Sequence, residues 1–226
     1  MDDFQPTGRA HGTRHPDTAP PAGAARPAHT APATEDRLQR AAAALAGHGF
    51  AVEVLDGAAA ARERVRALLP DGASVLTTAS ETLRLTGVEA DANARPGALK
   101  PRLLAMDRER GADELRRLLA APDVVLGSAA ALLETGALVI ASGSGSQLPA
   151  NGGGAGHAIW LVGAQKLVPD LPAALRRIHE HALPLESART EAAYGQPSAV
   201  NQLLVLHAPP RFTRGTVLLL REAVGY

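Results

Sequence analysis

The sequence predicts an α/β fold with a mainly parallel, Rossmann-like sheet flanked by helices. Short, continuous apolar runs such as residues 124–126 and 137–141 are typical of strands that are covered on both faces. Amphipathic stretches of helical period alternate with such runs, which favours a β-α-β chain order. Two strands joined by a helical crossover pair in parallel, with a right-handed connection.

Composition indicates one domain with a tail. The 226 residues carry 23 basic and 23 acidic side chains and no cysteine. The balanced charge disfavours a nucleic-acid-binding protein. The lack of cysteine excludes disulfides, thiolate catalysis and Cys-ligated zinc or iron–sulfur clusters within these residues. No apolar run approaches the roughly 20 residues of a membrane span, and the N-terminus lacks the apolar core of a signal peptide, so we expect a cytoplasmic protein.

Residues 1–33 are rich in Pro, Ala, Thr and His and show no hydrophobic period. Such a segment buries little apolar surface, so we predict a disordered tail at 1–33 and a folded domain at 34–226. The histidines of the tail have no folded frame, and we expect no metal site.

The first part of the domain is predicted to form a helix, a strand, a second helix and a second strand. Thr34 and Asp56 are suitable helix caps, and Gly47 and Pro70 suit the two helix ends. The predicted bounds are 35–46, 50–54, 58–69 and 75–76.

Thr78 and Ser80 follow the second of these strands, and Ser80 is a good N-cap for a short helix. Capping alone would explain Ser80. Amide groups at a helix N-terminus beyond a strand end also attract anions, so both residues are candidates for ligand binding.

The second part of the domain is predicted to be strand-rich. The glycine-rich loop at 142–156 lacks the ending of a P-loop and the spacing of a dinucleotide fingerprint, so it is interpreted as a mobile cover or a plain connection. The predicted elements are an irregular stretch at 89–102, a strand at 103–106, a helix at 107–120, strands at 124–126, 137–141, 157–162 and 167–168, a helix at 171–181, an irregular stretch at 183–197, and strands at 203–206 and 216–220.

Glu134, Thr135 and Gly136 stand directly before the apolar run 137–141, and Ser142 directly follows it. Polar groups at the mouth of a buried strand need partners or water, and ligands bind at strand ends in α/β sheets. We therefore predict that Glu134–Gly136 line an open cleft at the edge of the central parallel sheet, and that all four residues bind a ligand. Glu134 would have a raised pKa or a specific donor, and a purely structural acid explains it equally well. No residue is assigned as catalytic.

The same stretch resembles the LUD-domain family, of the lactate utilization protein C type. The resemblance rests on Glu-Thr-Gly-x-Leu-Val-Ile from Glu134, His-x-Ile-x-Leu-Val from His157, and Leu-Val-Pro-x-Leu from Leu167. It covers residues 73–222 and departs from the family at Asn201 and Gln202, where relatives carry acidic residues. It implies a fold similar to the sugar-isomerase and CoA-transferase group, with ligands at the carboxyl ends of strands.

Two functions remain open. The resemblance implies an accessory subunit that supports oxidation of L-lactate to pyruvate, with iron–sulfur oxidoreductase subunits as partners and no cofactor of its own. Such a subunit would expose an apolar patch for its partner. The alternative is a stand-alone binder or enzyme for a small anionic metabolite, namely a phosphosugar, an acyl-CoA or a hydroxy acid, with a closed pocket around Ser80 and Glu134–Gly136.

Overall fold

A computed structural model describes residues 29–107 and 110–226 of the chain. Residues 1–28 of the predicted tail lie outside this range, so the division at residue 33 stays a prediction. Within the described part, the amide of Ala33 donates to the carbonyl of Ala164 at 3.2 Å. None of the helices in these two ranges is long and apolar enough to cross a bilayer.

Helices and strands alternate from residue 35 to residue 77, and four consecutive helices then precede the third strand. The helices are α1 (Glu35–Gly47), α2 (Ala58–Leu68), α3 (Glu81–Leu85), α4 (Val88–Asn93), α5 (Leu99–Ala105), α6 (Ala112–Ala120), α7 (Leu171–Arg177) and α8 (Leu183–Tyr194). The strands are β1 (Ala51–Leu55), β2 (Val75–Thr77), β3 (Val124–Gly127), β4 (Ala131–Leu133), β5 (Leu138–Ser142), β6 (His157–Gly163), β7 (Leu167–Val168), β8 (Gln202–Leu206) and β9 (Arg214–Leu220). A π-helical turn, Ile178–Ala182, joins α7 to α8.

The predicted fold class is confirmed by a five-stranded, fully parallel sheet in the order β1-β9-β6-β3-β2. Its central strand β6 sends Ile159 and Leu161 to one face and Trp160 to the other. Helices α2, α3 and α4 pack on the first face, while α1 and a second sheet cover the opposite face. Both faces are therefore dry, which is why these strands are continuous apolar runs.

The second sheet is mixed and has the order β7-β4-β5-β8. Strands β4 and β5 are antiparallel, as are β5 and β8, whereas β4 and β7 are parallel. Leu138 and Ile140 of β5 face the main core, and Val139 faces α7. The prediction that 137–141 belongs to the central parallel sheet is therefore wrong. Strand β5 is also covered on both faces, so its sequence has the same appearance as a parallel strand.

Three local predictions also fail. The stretch 103–106 lies largely in helix α5 and not in a strand, and the irregular stretch at 183–197 is mostly helix α8. The irregular stretch at 89–102 contains most of α4 and the start of α5. Helix α8 ends at Gly195 with a φ of +73°, a common left-handed helix end. Short helices with few apolar residues give a weak periodic signal in the sequence. Whether such a segment is helical therefore depends on its tertiary packing.

The buried side chain of His157 should make the stability of the fold depend on pH. Its Nε2 lies 2.8 Å from Thr216 Oγ1 on the neighbouring strand, and burial, with a smaller effect of Arg214, lowers its pKa to about 4. The unfolded chain therefore binds more protons than the folded one between pH 6.5 and about 4. We expect stability to fall as the pH drops through this window, by about 3 kcal/mol from this group.

The measurement is urea unfolding across that pH range for the native chain and for His157→Gln, which keeps a hydrogen-bonding group beside Thr216 but does not titrate. The variant should lose part of the acid sensitivity. The exposed His207→Gln variant is the control and should behave like the native chain. An unchanged acid response in His157→Gln would contradict the assignment.

Candidate functional site

A cavity of about 400 Å³ opens at the carboxyl ends of β2, β3 and β6 in the parallel sheet. Its walls come from the segments after these strands, from the end of β5 and the loop that follows it, and from the π-helical turn before α8. This is the edge of the sheet where ligands bind in open α/β folds, and the volume is within the range of small-molecule sites.

Three of the residues predicted to bind a ligand line this cavity, namely Thr78, Ser80 and Ser142. The Ser80 hydroxyl caps α3 by accepting from the amide of Leu83 at 3.3 Å. The Ser142 hydroxyl accepts from the amide of Gly145 at 2.9 Å, which starts the turn after β5. Helix α3 has only five residues, so its N-terminus is a weak anion site. The ligand that the cavity could bind must therefore be inferred from the side chains that line it.

Glu134, Thr135 and Gly136 do not line the cavity. They form a three-residue hairpin loop between β4 and β5, closed by the hydrogen bond from the amide of Leu133 to the carbonyl of Ala137 at 2.8 Å. Gly136 has a φ of +83°. This loop length, with a left-handed glycine in third place, is a common hairpin connection. The prediction that these residues lie at the edge of the central parallel sheet is therefore wrong, because the turn belongs to the second, mixed sheet.

The hairpin loop docks on helix α1. Arg37 Nε donates to Glu134 Oε1 at 2.8 Å, and this guanidinium is the specific donor predicted for the acid. His48 Nδ1 lies 3.1 Å from the carbonyl oxygen of Gly136. These contacts give the Glu-Thr-Gly segment a structural role. That it also binds a ligand stays a prediction.

Lys166 lies at the wall of the cavity and is only 2% exposed. Its Nζ donates to Thr82 Oγ1 at 2.9 Å, to Ser128 Oγ at 3.0 Å and to the carbonyl of Ala129 at 3.2 Å. The Ser128 hydroxyl donates onward to the carbonyl of Leu161 at 2.6 Å. Three acceptors around one amine fit the three N–H groups of an ammonium ion.

Burial, with a smaller effect of the neighbouring Arg177, lowers the pKa of Lys166 well below its ordinary value. Arg177 is fully buried, and burial lowers its pKa to about 10. Its Nη1 donates to the carbonyl of Ala130 at 2.6 Å, while Nε and Nη2 are buried without a partner among the described residues. Two basic side chains are thus held in the interior by the carbonyls of consecutive residues, and an anion there would be stabilised.

The other charged residues of the cavity wall are already paired. Glu81 contacts Arg84 at 2.7 Å, Glu186 contacts Arg189 at 2.6 Å, and Lys100 is paired with Glu89. In the part of the chain that the structure describes, Lys166 has no carboxylate partner. An unpaired buried cation beside a cavity is typical of a ligand site.

Sequence reasoning missed Lys166, although a signal was present. The residue stands in Gly163-Ala-Gln-Lys166, between the apolar runs of β6 and β7. Glu134 was predicted to bind a ligand because it is a charged residue next to a buried strand. Lys166 has the same position relative to β6 and β7, so the same prediction could have been made for it. The described residues contain no group of three or more His, Asp or Glu side chains suited to a metal ion.

Comparison with known proteins supports the fold and the resemblance. The chain is similar to a crystal structure of a DUF162 family protein from Deinococcus radiodurans, with a TM-score of 0.50 and 14% sequence identity over 82% of this chain and 96% of that chain. At this identity the similarity bears on the fold alone. No curated protein matches the chain significantly. The family model for the LUD domain matches residues 38–199, which is most of the chain, and on that basis the protein belongs to the LUD-domain family.

Proposed function

We propose that this protein binds a small anionic metabolite in the cavity beside Lys166. The observation that carries the proposal is the buried Lys166 amine, which has three neutral acceptors and no carboxylate partner among the described residues. Removing a charge from water is costly. The three N–H groups of the amine already have acceptors, so a carboxylate or phosphate in the cavity beside it would offset that cost through its charge.

The chemistry of the walls narrows the class of ligand. Hydroxyl groups of Thr78, Ser80, Ser128 and Ser142 belong to residues that line the cavity, and apolar side chains such as Ile140 lie between them. Hydroxyls can both donate and accept, so they suit a ligand with hydroxyl groups of its own. Hydroxy acids and phosphosugars have this composition, and the acyl-CoA class shares the anionic end.

We propose further that the biological setting is lactate utilisation in the cytoplasm. In this setting the chain acts as an accessory subunit beside iron–sulfur oxidoreductase subunits that oxidise L-lactate to pyruvate. Membership of the LUD-domain family supports this role. The 226 residues contain no cysteine, so Cys-ligated clusters would be supplied by the partners. Co-purification of a cysteine-rich iron–sulfur protein with the tagged chain is the expected result, and capture of no such protein from lactate-grown cells would contradict this role.

The ligand proposal is tested by thermal unfolding against a panel of L-lactate, pyruvate, ribose 5-phosphate and acetyl-CoA. A ligand at a hundred times its dissociation constant should add about 2.7 kcal/mol to the unfolding free energy. Potassium chloride at matched ionic strength is the control for general salt effects. If none of the four raises the melting temperature above the chloride control, the proposal is wrong.

A further inference from the structure

The segment Val224–Tyr226 is tied to the rim of the cavity by side chains that surround Lys166. The side-chain amide of Gln165 both donates to and accepts from this segment. Its Nε2 donates to the carbonyls of Val224 at 2.9 Å and Gly225 at 2.8 Å, and its Oε1 accepts from the amide of Val224 at 3.2 Å. The Thr82 hydroxyl accepts from Lys166 and donates to the carbonyl of Val224 at 3.2 Å. The segment is therefore fixed in place next to the buried amine.

Gly225 brings this segment close to helix α3. It has a φ of +71°, and a Cβ at this position would lie 2.3 Å from Thr82 Oγ1 and 2.7 Å from the Thr82 amide nitrogen. The close approach needs glycine, since a side chain would push the segment away. Its consequence is that Tyr226 becomes part of the cavity wall.

At the wall, Tyr226 is paired with Glu186. The Tyr226 hydroxyl donates to Glu186 Oε2, and Arg189 donates to both carboxylate oxygens at 2.8 and 2.6 Å. Burial opposes ionisation of Glu186, but the hydrogen bonds from Arg189 and Tyr226 outweigh it and lower the pKa of the acid. The cavity therefore presents an ionised, charge-compensated carboxylate in addition to the amine of Lys166, which has no carboxylate partner among the described residues.

From this arrangement we infer that Tyr226 and Glu186 determine specificity by binding a hydroxyl-bearing end of the ligand, whose single anionic group lies at Lys166. The inference rests on the proposed anion-binding function. A carboxylate already paired with Arg189 accepts a hydrogen bond from a neutral hydroxyl, whereas a second phosphate or carboxylate beside it would be repelled. The class of ligand is thus a hydroxylated compound with one anionic group, and compounds with anionic groups at both ends are disfavoured.

Two sets of matched probes test the inference by isothermal titration. L-lactate is compared with propionate, which lacks only the hydroxyl, and with L-malate, which adds a second carboxylate. Ribulose 5-phosphate is compared with inorganic phosphate and with ribulose 1,5-bisphosphate. In at least one set the hydroxylated compound with a single anionic group should bind about tenfold more tightly than both comparators, which corresponds to one or two hydrogen bonds.

The variants are Tyr226→Phe and Glu186→Gln, with Tyr194→Phe, an exposed tyrosine outside the cavity, as the matched control. Tyr226→Phe should weaken the hydroxylated probe three- to tenfold and leave propionate or phosphate unchanged. Glu186→Gln should reduce the discrimination against L-malate or the bisphosphate. Thermal unfolding of each variant without probe shows whether it is folded.

The outcomes separate the two proposals. Equal affinity for the hydroxylated probes and their comparators, or an equal loss for all probes in Tyr226→Phe, would overturn the inference while leaving anion binding intact. Lack of binding by every probe, including phosphate and propionate, would instead refute the proposed function.

Discussion

Replacing Lys166 by methionine should lower the affinity for an anionic ligand by about thirtyfold or more. The change keeps a side chain of similar length and removes the ammonium, and a buried charged hydrogen-bonding partner contributes roughly 2–5 kcal/mol to binding. Isothermal titration with the best-binding compound of the panel measures the loss. Binding at native affinity by the variant would remove the main support for the proposed function.

The variant is expected to stay folded, so the loss of affinity can be separated from unfolding. Methionine removes a desolvated charge, and replacing buried charges by apolar side chains of similar volume is often neutral or stabilising. The Thr82 and Ser128 hydroxyls retain their bonds to the carbonyls of Val224 and Leu161. Lys100→Met is the control, because Lys100 lines the same cavity but is paired with Glu89. Its affinity should stay within about threefold of native.

The affinity should also depend on pH in one direction. Burial lowers the pKa of Lys166, so the amine loses its proton at a lower pH than an exposed lysine. Anion binding favours the protonated form, and we therefore expect affinity, measured by isothermal titration at several pH values, to fall as the pH is raised through the lowered pKa of this amine. Lys166→Met should lack this decline.

Gly136→Ala should destabilise the fold by about 3 kcal/mol. A Cβ at this residue would lie 2.6 Å from the carbonyl carbon of Ala44 and 2.7 Å from the amide nitrogen of Leu45, so the backbone of α1 would have to move. The left-handed φ of +83° adds strain for a residue with a side chain. Urea unfolding measures the change in the unfolding free energy.

The control for this prediction is Gly47→Ala at the end of α1. A Cβ there meets nothing within 4 Å, and alanine favours the helix, so stability should change by no more than about 1 kcal/mol. If Gly136→Ala were as stable as Gly47→Ala, close packing of the hairpin on α1 could not be the reason for the glycine.

Apolar patterning was sufficient to predict the parallel sheet, because strands β3, β6 and β9 are covered on both faces and their sequences show it. The same patterning misassigned β5. That strand is equally covered, by the main core and by α7, but it runs antiparallel to β4 and β8. Hydrophobic runs report burial, and burial carries no information on strand direction. The polar three-residue stretch ending in Gly136 was the local evidence for a hairpin.

Helix caps can be predicted from the sequence because they join residues that are close together in the chain. Ser80 was predicted as a cap and accepts from the amide of Leu83, since the partner lies three residues along the chain. Thr34 and Asp56 were also predicted as caps, but Thr34 makes no side-chain capping bond and the N-cap of α2 is Gly57. The cavity is different, because its central contacts join residues far apart in the chain: Lys166 to Thr82 and Ser128, and Tyr226 to Glu186.

The amino-acid sequence by itself determined the α/β class, the buried strands, several helix ends and the family resemblance, all of which depend on local composition and spacing. Only the tertiary structure decided that Glu134–Gly136 form a docked hairpin and that Lys166 lies beside a cavity with no carboxylate partner in the described part of the chain. Those facts depend on which distant segments of the chain are in contact in the folded protein. The free-energy cost of burying a charge can be assessed only when its neighbouring groups are known.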